Sequence, residues 1–242
     1  MPIVVTEDLT KTYGEGETLV RALDSVDISV EPGEFVAIMG PSGCGKSTLL
    51  NLVGGLDRPS AGRVLIDGAD LTTLDDDKLT ELRRRMGFVF QSYNLIPVLD
   101  ATENAALPLT LDGAAHAERR AQDWLKKVGL GDRMTNRPDQ LSGGQQQRVA
   151  VARALSTEPA LILADEPTGN LDSKSATEIA TLLQQVSTDW GRAVLMVTHD
   201  PRIASFARRL LLMKDGAIVD DLPLDGDGGE AARKAMEKAG LL

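Results

Sequence analysis

Lys46-Ser47-Thr48 closes a glycine-rich run, Gly40-Pro41-Ser42-Gly43-Cys44-Gly45. Gly, four residues, then Gly-Lys-Ser/Thr is the spacing of a phosphate-binding loop. Glycine at 40, 43 and 45 lets backbone N–H groups converge on phosphate oxygens with no side chain in the way. Lys46 brings a point charge to the outer phosphates, where a charge-assisted bond is worth about 1.5–3 kcal/mol net. Ser47 offers a hydroxyl to Mg²⁺. The apolar run Phe35-Val36-Ala37-Ile38-Met39 precedes the loop and a helical pattern beginning at Ser47 follows it. That strand–loop–helix context is the one the motif requires, and the helix start adds its dipole. Cys44 lies near this helix start and has two readings, a reactive thiol or a small spacer. The spacer reading is favoured, because backbone groups do the loop's work.

Further polar residues stand where apolar strands stop. Leu161-Ile162-Leu163-Ala164 ends in Asp165-Glu166, Gly87-Phe88-Val89-Phe90 delivers Gln91, and Ala193-Val194-Leu195-Met196-Val197-Thr198 ends at His199. Buried parallel strands are apolar throughout, and open α/β sheets place ligands at their carboxyl ends. Asp165 and Glu166 are therefore expected to face the phosphates, with His199 on the same edge. His116, on a charged helix, has no such context and reads as solvated. Ser142-Gly143-Gly144-Gln145 forms a second cluster: a capping serine, two glycines with free N–H groups, and a glutamine three residues on, as in a capping box. Such a turn is common as a plain helix cap. It also makes a second anion site, far along the chain from the first.

These residues must be positioned by a chain of 242 residues, enough for one large α/β domain, with or without a smaller subdomain. The charge of −10, from 26 basic and 36 acidic residues, and a pI near 4.8 argue against a nucleic-acid surface. A single cysteine makes no internal disulfide and points to a reducing cytosol. The N-terminus lacks a signal-peptide pattern and no run of eighteen apolar residues occurs, so any membrane-spanning part is expected on another polypeptide.

In order, residues 3–13 read as a strand ending beside Tyr13, and Val26, Ile28 and Val30 alternate in a second. The first helix ends at Gly54-Gly55, a strand covers Arg63–Asp67, and a charged helix covers Asp75 to Arg85. From Ser92 to Pro159 the pattern is helical, with Ala121, Trp124, Leu125 and Val128 on one face and Arg119, Arg120, Lys126 and Lys127 toward solvent. The assignment is a core of 1–91 and 160–220 with an inserted helical signature subdomain at 92–159. A helix at Thr177–Ser187 follows the carboxylate strand, Asp215-Gly216 turns a final hairpin, and 221–242 read as a flexible linker and a short amphipathic helix. Tyr13 by itself is more often a packing residue than a base-stacking platform.

Over about residues 3–220 the chain resembles the nucleotide-binding subunits of ATP-binding cassette (ABC) transporters. Seven features match in order: Tyr13, the phosphate loop (Walker A), Gln91, the Leu141-Ser142-Gly143-Gly144-Gln145 signature, Asp165 (Walker B) with Glu166, the Gly169-Asn170-Leu171-Asp172 loop, and His199. Residues 51–59, 90–97 and 168–172 are similar to the branch of macrolide-export, lipoprotein-release, haem-efflux and cell-division cassettes. The resemblance implies an α/β P-loop NTPase core with a mainly parallel sheet, an N-terminal antiparallel β subdomain and an inserted α-helical subdomain. It implies a homodimer that holds two ATP, each between one subunit's phosphate loop and the other's signature. It further implies stacking of Tyr13 on adenine, Mg²⁺ held by Ser47, Gln91 and Asp165, and Glu166 as base. His199 would contact the γ-phosphate, and Asp172 would cross the interface, cap the next helix, or both.

The leading function is then the ATPase of a membrane permease, placed at the cytoplasmic face of the membrane through that partner. Tyr93, Leu95, Ile96, Pro97 and Val98 are either its docking surface or subdomain core. A second class is a module that transmits force through a non-transporting membrane partner to an extracytoplasmic enzyme. A third, the soluble ABC proteins of DNA repair or translation, carries long coiled coils or two cassettes, and this chain has neither. Cargo and direction of transport are not encoded here.

Overall fold

The computed structural model describes residues 1–224 and 228–238. Strands β1 (Val4–Tyr13) and β2 (Val20–Val30) pair antiparallel, and the Pro32-Gly33 turn leads into β3 (Phe35–Met39), buried at every position. Helix α1 (Lys46–Val53) follows the glycine-rich loop. It starts at Lys46, one residue before the expected Ser47, because Gly45 takes the N-cap in a left-handed conformation. Then come β4 (Ala61–Ile66), the short β5 (Ala69–Asp70), α2 (Asp76–Arg84) and β6 (Met86–Phe90). Asp75 caps α2, and acids in its first turn with arginines in its last match the helix dipole.

Between β6 and β7 (Leu161–Asp165) the chain is helical: α3 (Ala101–Leu111), α4 (Ala117–Lys127) and α5 (Gly143–Ser156). Ala121, Trp124 and Leu125 are the buried residues of α4, as their spacing predicts. Arg120 is a partial exception to the solvent-facing set, reaching the Ser156 carbonyl at 3.3 Å. After β7 come α6 (Ser173–Thr188), β8 (Ala193–Val197), the short α7 (Pro201–Ala204), and the hairpin β9 (Arg209–Lys214) and β10 (Ala217–Pro223). Helix α6 begins four residues before the expected Thr177. Asp172 caps it, and its carboxylate accepts from the backbone of Lys174 and Ser175.

Two sheets result. The antiparallel one has the order β2-β1-β4-β5, and the larger one β10-β9-β3-β8-β7-β6. In the larger sheet β9, β3, β8, β7 and β6 run parallel, and β10 alone is antiparallel. Its inner strands β9, β3, β8 and β7 are apolar on both faces because each feeds two cores, whereas the edge strand β10 carries Asp220 and Asp221. Phe35, Ala37 and Met39 turn to the core shared with the helices, whereas Val36 and Ile38 turn to the core between the sheets, where α1 lies. β7, β8 and β9 alternate in the same way. Arg209 ties the sheets together: it bonds the Ser29 carbonyl on β2 at 2.9 Å and grips Asp221 with two bonds of 2.7 Å.

The final helix, α8 (Gly228–Lys238), is amphipathic as expected but is not detached from the core. Ala232, Ala235 and Met236 are buried in the helix-side core with Leu224, and α8 packs on α7. The linker expected from residue 221 is shorter than read, since β10 continues to Pro223 and Gly228-Gly229 already belong to α8; residues 225–227 lie outside the described residues.

Candidate active site

The phosphate loop leaves the middle of the large sheet, where β3 lies between β9 and β8. Glycine is required at both of its ends. A Cβ on Gly40 would fall 2.1 Å from the Met213 carbonyl oxygen, and Gly45 sits at φ 102 with its Cβ position 2.2 Å from the Ala22 carbonyl oxygen. Gly43, also at positive φ, faces open space with nothing within 4 Å, so an anion has room above its backbone. The hairpin turn braces the loop from behind through a 3.1 Å bond from Gly216 N–H to the Cys44 carbonyl. Pro41, Ser42 and Gly43 stay exposed. Lys46 is buried and folds back to donate to the carbonyls of Gly40 and Pro41, both at 2.8 Å.

Cys44 is 5% exposed and its Sγ is 3.9 Å from Lys46 Nζ. Burial pushes its thiol pKa up, against the opposing pull of Lys46. The spacer reading therefore predicts alkylation by iodoacetamide much slower than in the unfolded chain, read by mass spectrometry. Labelling of the folded protein at the unfolded rate would contradict it.

At the carboxyl end of β7 the Asp165 carboxylate accepts a 3.0 Å bond from the Ser47 hydroxyl. Burial raises the Asp165 pKa, opposed by Ser47 and Lys46. Glu166 follows at φ 45, a left-handed conformation that costs a non-glycine residue about 1–2 kcal/mol. Its N–H is still held by the Val197 carbonyl at 3.0 Å, so the turn begins while the backbone is still bonded to β8. Glu166 Oε2 lies 2.9 Å from Nδ1 of His199, which stands two residues past the end of β8. The glutamate side chain is 18% exposed and the histidine 69%.

Gln91, one residue beyond β6, donates to the Asn170 side-chain oxygen at 3.1 Å, and Asn170 donates back to the Gln91 carbonyl at 3.1 Å. Gly169 packs on the same amide. Tyr13 is 43% exposed. Its hydroxyl donates to Asp57 at 2.9 Å, and Lys11 Nζ sits 4.9 Å from the ring centre. Burial and then Asp57 raise its pKa, with Thr48 of the phosphate loop acting the other way.

Ser142 caps α5 in a complete capping box. Its hydroxyl accepts from Gln145 N–H, and the Gln145 side chain accepts from Ser142 N–H at 2.9 Å. Around Gly143 and Gly144 stand Tyr93, Leu171 and Ser175, none of which belongs to the phosphate loop. The structure thus groups Ser47, Asp165, Glu166 and His199 at one edge, links Gln91 to the 169–172 loop, and sets Tyr93, Leu171 and Ser175 against the signature glycines. Asp172 is used as the α6 cap, and the N–H of Ser175 is the main cause of its lowered pKa.

Three polar side chains that shape the site, Asn104 and Gln147 buried and Arg153 half-buried, went unread in the sequence. Arg153 donates to the carbonyls of Tyr93 and Asn94, which are both left-handed, and so fixes the turn after Gln91. Asn104 bonds Ile96 N–H and the carbonyls of Ile96, Leu99 and Asp100. Gln147 donates to the carbonyls of Phe90 and Pro167. Each carried one faint signal, a polar residue on an otherwise apolar helical face.

A mainly parallel α/β sheet with a P-loop at its centre, flanked by an antiparallel sheet and a helical layer, defines a nucleotide-binding cassette. The chain belongs to the ABC transporter family, whose model matches residues 23–169. It is 52% identical over 223 residues to the macrolide export ATP-binding/permease protein MacB of Marinobacter nauticus, covering 91% of this chain and 34% of that protein. It is 49% identical over 231 residues to the uncharacterized ABC transporter ATP-binding protein MJ0796 of Methanocaldococcus jannaschii, covering 93% and 98% respectively. A dimeric structure of MJ0796 in a post-hydrolysis state, bound to ADP and Pi, superposes with a TM-score of 0.84 at 48% identity, covering 92% of this chain and 99% of that one. The chain spans about a third of the length of the MacB relatives. These matches agree with the expected branch.

Proposed function

We propose that this chain hydrolyses ATP as a head-to-tail homodimer and thereby drives a membrane permease. The observation that carries the reading is the pairing of Glu166 with His199, next to the Ser47–Asp165 pair on the edge that flanks the phosphate loop. Lys46 and the loop N–H groups bind the phosphates, and Tyr13 contacts the adenine. Glu166 orients and polarises the attacking water, and His199 holds the glutamate while facing the γ-phosphate. Ser47, Asp165 and Gln91 fit Mg²⁺, because hydroxyl, carboxylate and amide oxygens are hard donors. Among the described residues no group of three or more His, Cys, Asp or Glu could hold a metal. Bound Mg²⁺ neutralises charge that develops on the phosphates.

Because Tyr93, Leu171 and Ser175, and no phosphate-loop residue, stand around the signature glycines, Ser142, Gly143, Gly144 and Gln145 serve the partner's nucleotide. Asp172, exposed beside them, reaches the interface while capping α6. Mixed dimers test this: a Ser142→Arg chain is expected to silence the site whose phosphate loop belongs to the unmodified partner. Loss confined to the site bearing the modified chain's own phosphate loop would exclude the shared-site arrangement.

No described helix is long and apolar enough to cross a membrane, so docking on the permease requires a surface. Leu95 packs on the core, but Ile96 and Val98 are exposed, 71% for Val98. Asn94, two residues before Ile96, lines a groove of about 590 Å³ with Leu56, Phe88, Phe90, Leu107 and Leu111. A permease seated there would place the cassette on the cytoplasmic face of the membrane. Val98→Asp with Leu111→Asp is expected to abolish co-purification with a membrane protein in mild detergent while leaving ATP binding intact. Undiminished co-purification would exclude this surface.

A further inference from the structure

We propose that Gln147 is a positioning residue that sets Gln91 and Glu166 of its own chain from the buried face of the signature helix. This inference deepens the ATPase reading above and rests on it. Gln147 is fully buried one turn into α5, with Ala150, Val151 and Ala154 following at helical spacing on the same buried face. Its side-chain amide donates to the Phe90 carbonyl at 3.2 Å and to the Pro167 carbonyl at 2.6 Å. Phe90 immediately precedes Gln91, and Pro167 immediately follows Glu166. One –NH₂ group therefore joins the backbone next to both of these site residues to a third element.

The orientation of the amide is not free. Only the –NH₂ end can meet two carbonyl oxygens, since the opposite orientation would set three acceptors against one another. The price is a buried Oε1 without a partner, a penalty that native proteins rarely carry and that calls for a reason. The reason is geometric: β6 and β7 already pair in parallel, but their pairing ends at Phe90 and Asp165. Beyond that point Gln147 takes over and holds the two chain ends together. Because Gln147 and the Ser142 cap share the first turns of one helix, a rotation of α5 carries Phe90 and Pro167 with it.

Glu166→Gln chains, paired with chains that keep Glu166, leave one competent site per dimer and locate the effect. With Gln147→Met on the chain that keeps Glu166, we expect kcat at least tenfold below the reference heterodimer and an unchanged affinity for a non-hydrolysable ATP analogue. With Gln147→Met on the Glu166→Gln chain, which supplies only the signature, kcat is expected to stay within about twofold of the reference. Equal losses in both pairings would mean that the substitution merely loosens α5, and no loss in either would remove the role; both overturn the proposal. Gln147→Glu, of the same shape but set against two carbonyls, follows the same pattern and covers the case in which methionine prevents folding. A reference heterodimer without turnover would instead overturn the ATPase reading.

Discussion

Glu166→Gln is expected to bind ATP as the parent does and to lose turnover by about 10²–10³-fold, the scale seen when one polar stabilising group is removed from an active site. The exchange keeps the size of the side chain and removes its charge and its basicity. Glu166 is held at φ 45 with its carboxylate 2.9 Å from His199, so the amide would occupy the same place. Binding is expected to survive because the phosphate loop is braced by Met213, Ala22 and Gly216, none of which involves Glu166. Phosphate release in a single turnover, set beside a nucleotide titration, measures both quantities. Hydrolysis near the parent rate would remove Glu166 from the chemistry.

Lys46→Ala is expected to fail one step earlier, at binding. The ammonium now donates to the Gly40 and Pro41 carbonyls, and turning it outward toward a polyphosphate exchanges neutral acceptors for charged ones. A charge-assisted bond of about 1.5–3 kcal/mol corresponds to a roughly ten- to hundredfold weaker dissociation constant for ATP when it is lost. Calorimetric titration with a non-hydrolysable analogue reads this directly, and an unchanged constant would contradict the phosphate-loop assignment. The two substitutions separate the roles: one disables a bound nucleotide, the other prevents its binding.

The parts of the site legible in the sequence were those whose chemistry is local. The loop from Gly40 to Thr48 is contiguous, and its three glycines, lysine and serine declare a phosphate cradle before any folding is considered. Asp165, Glu166 and His199 could be placed on one sheet edge because each ends an apolar strand. The contact between Glu166 and His199, across 33 residues of chain, depends on β7 and β8 being neighbours and on a left-handed glutamate. Propensity does not predict either feature. Arg153, Asn104 and Gln147 were missed for a related reason: a polar side chain reports its partners only once those partners are in place. Helix α6 starts ahead of the expected Thr177 because apolar spacing marks only its buried face, from Ala176, whereas its first turn is set by Asp172, for which capping was one of the expected roles.

Strand β3 divides its five side chains between two cores, and this has a consequence for mutability. Inserting or deleting one residue upstream of Gly40 would exchange large and small partners on both faces at once, and would also bring a residue with a Cβ to the place where Gly40 clears the Met213 carbonyl. The strand therefore acts as a ruler with a single permitted setting, so length variation in this protein should accumulate at its far ends and never in the five residues that lead to the loop.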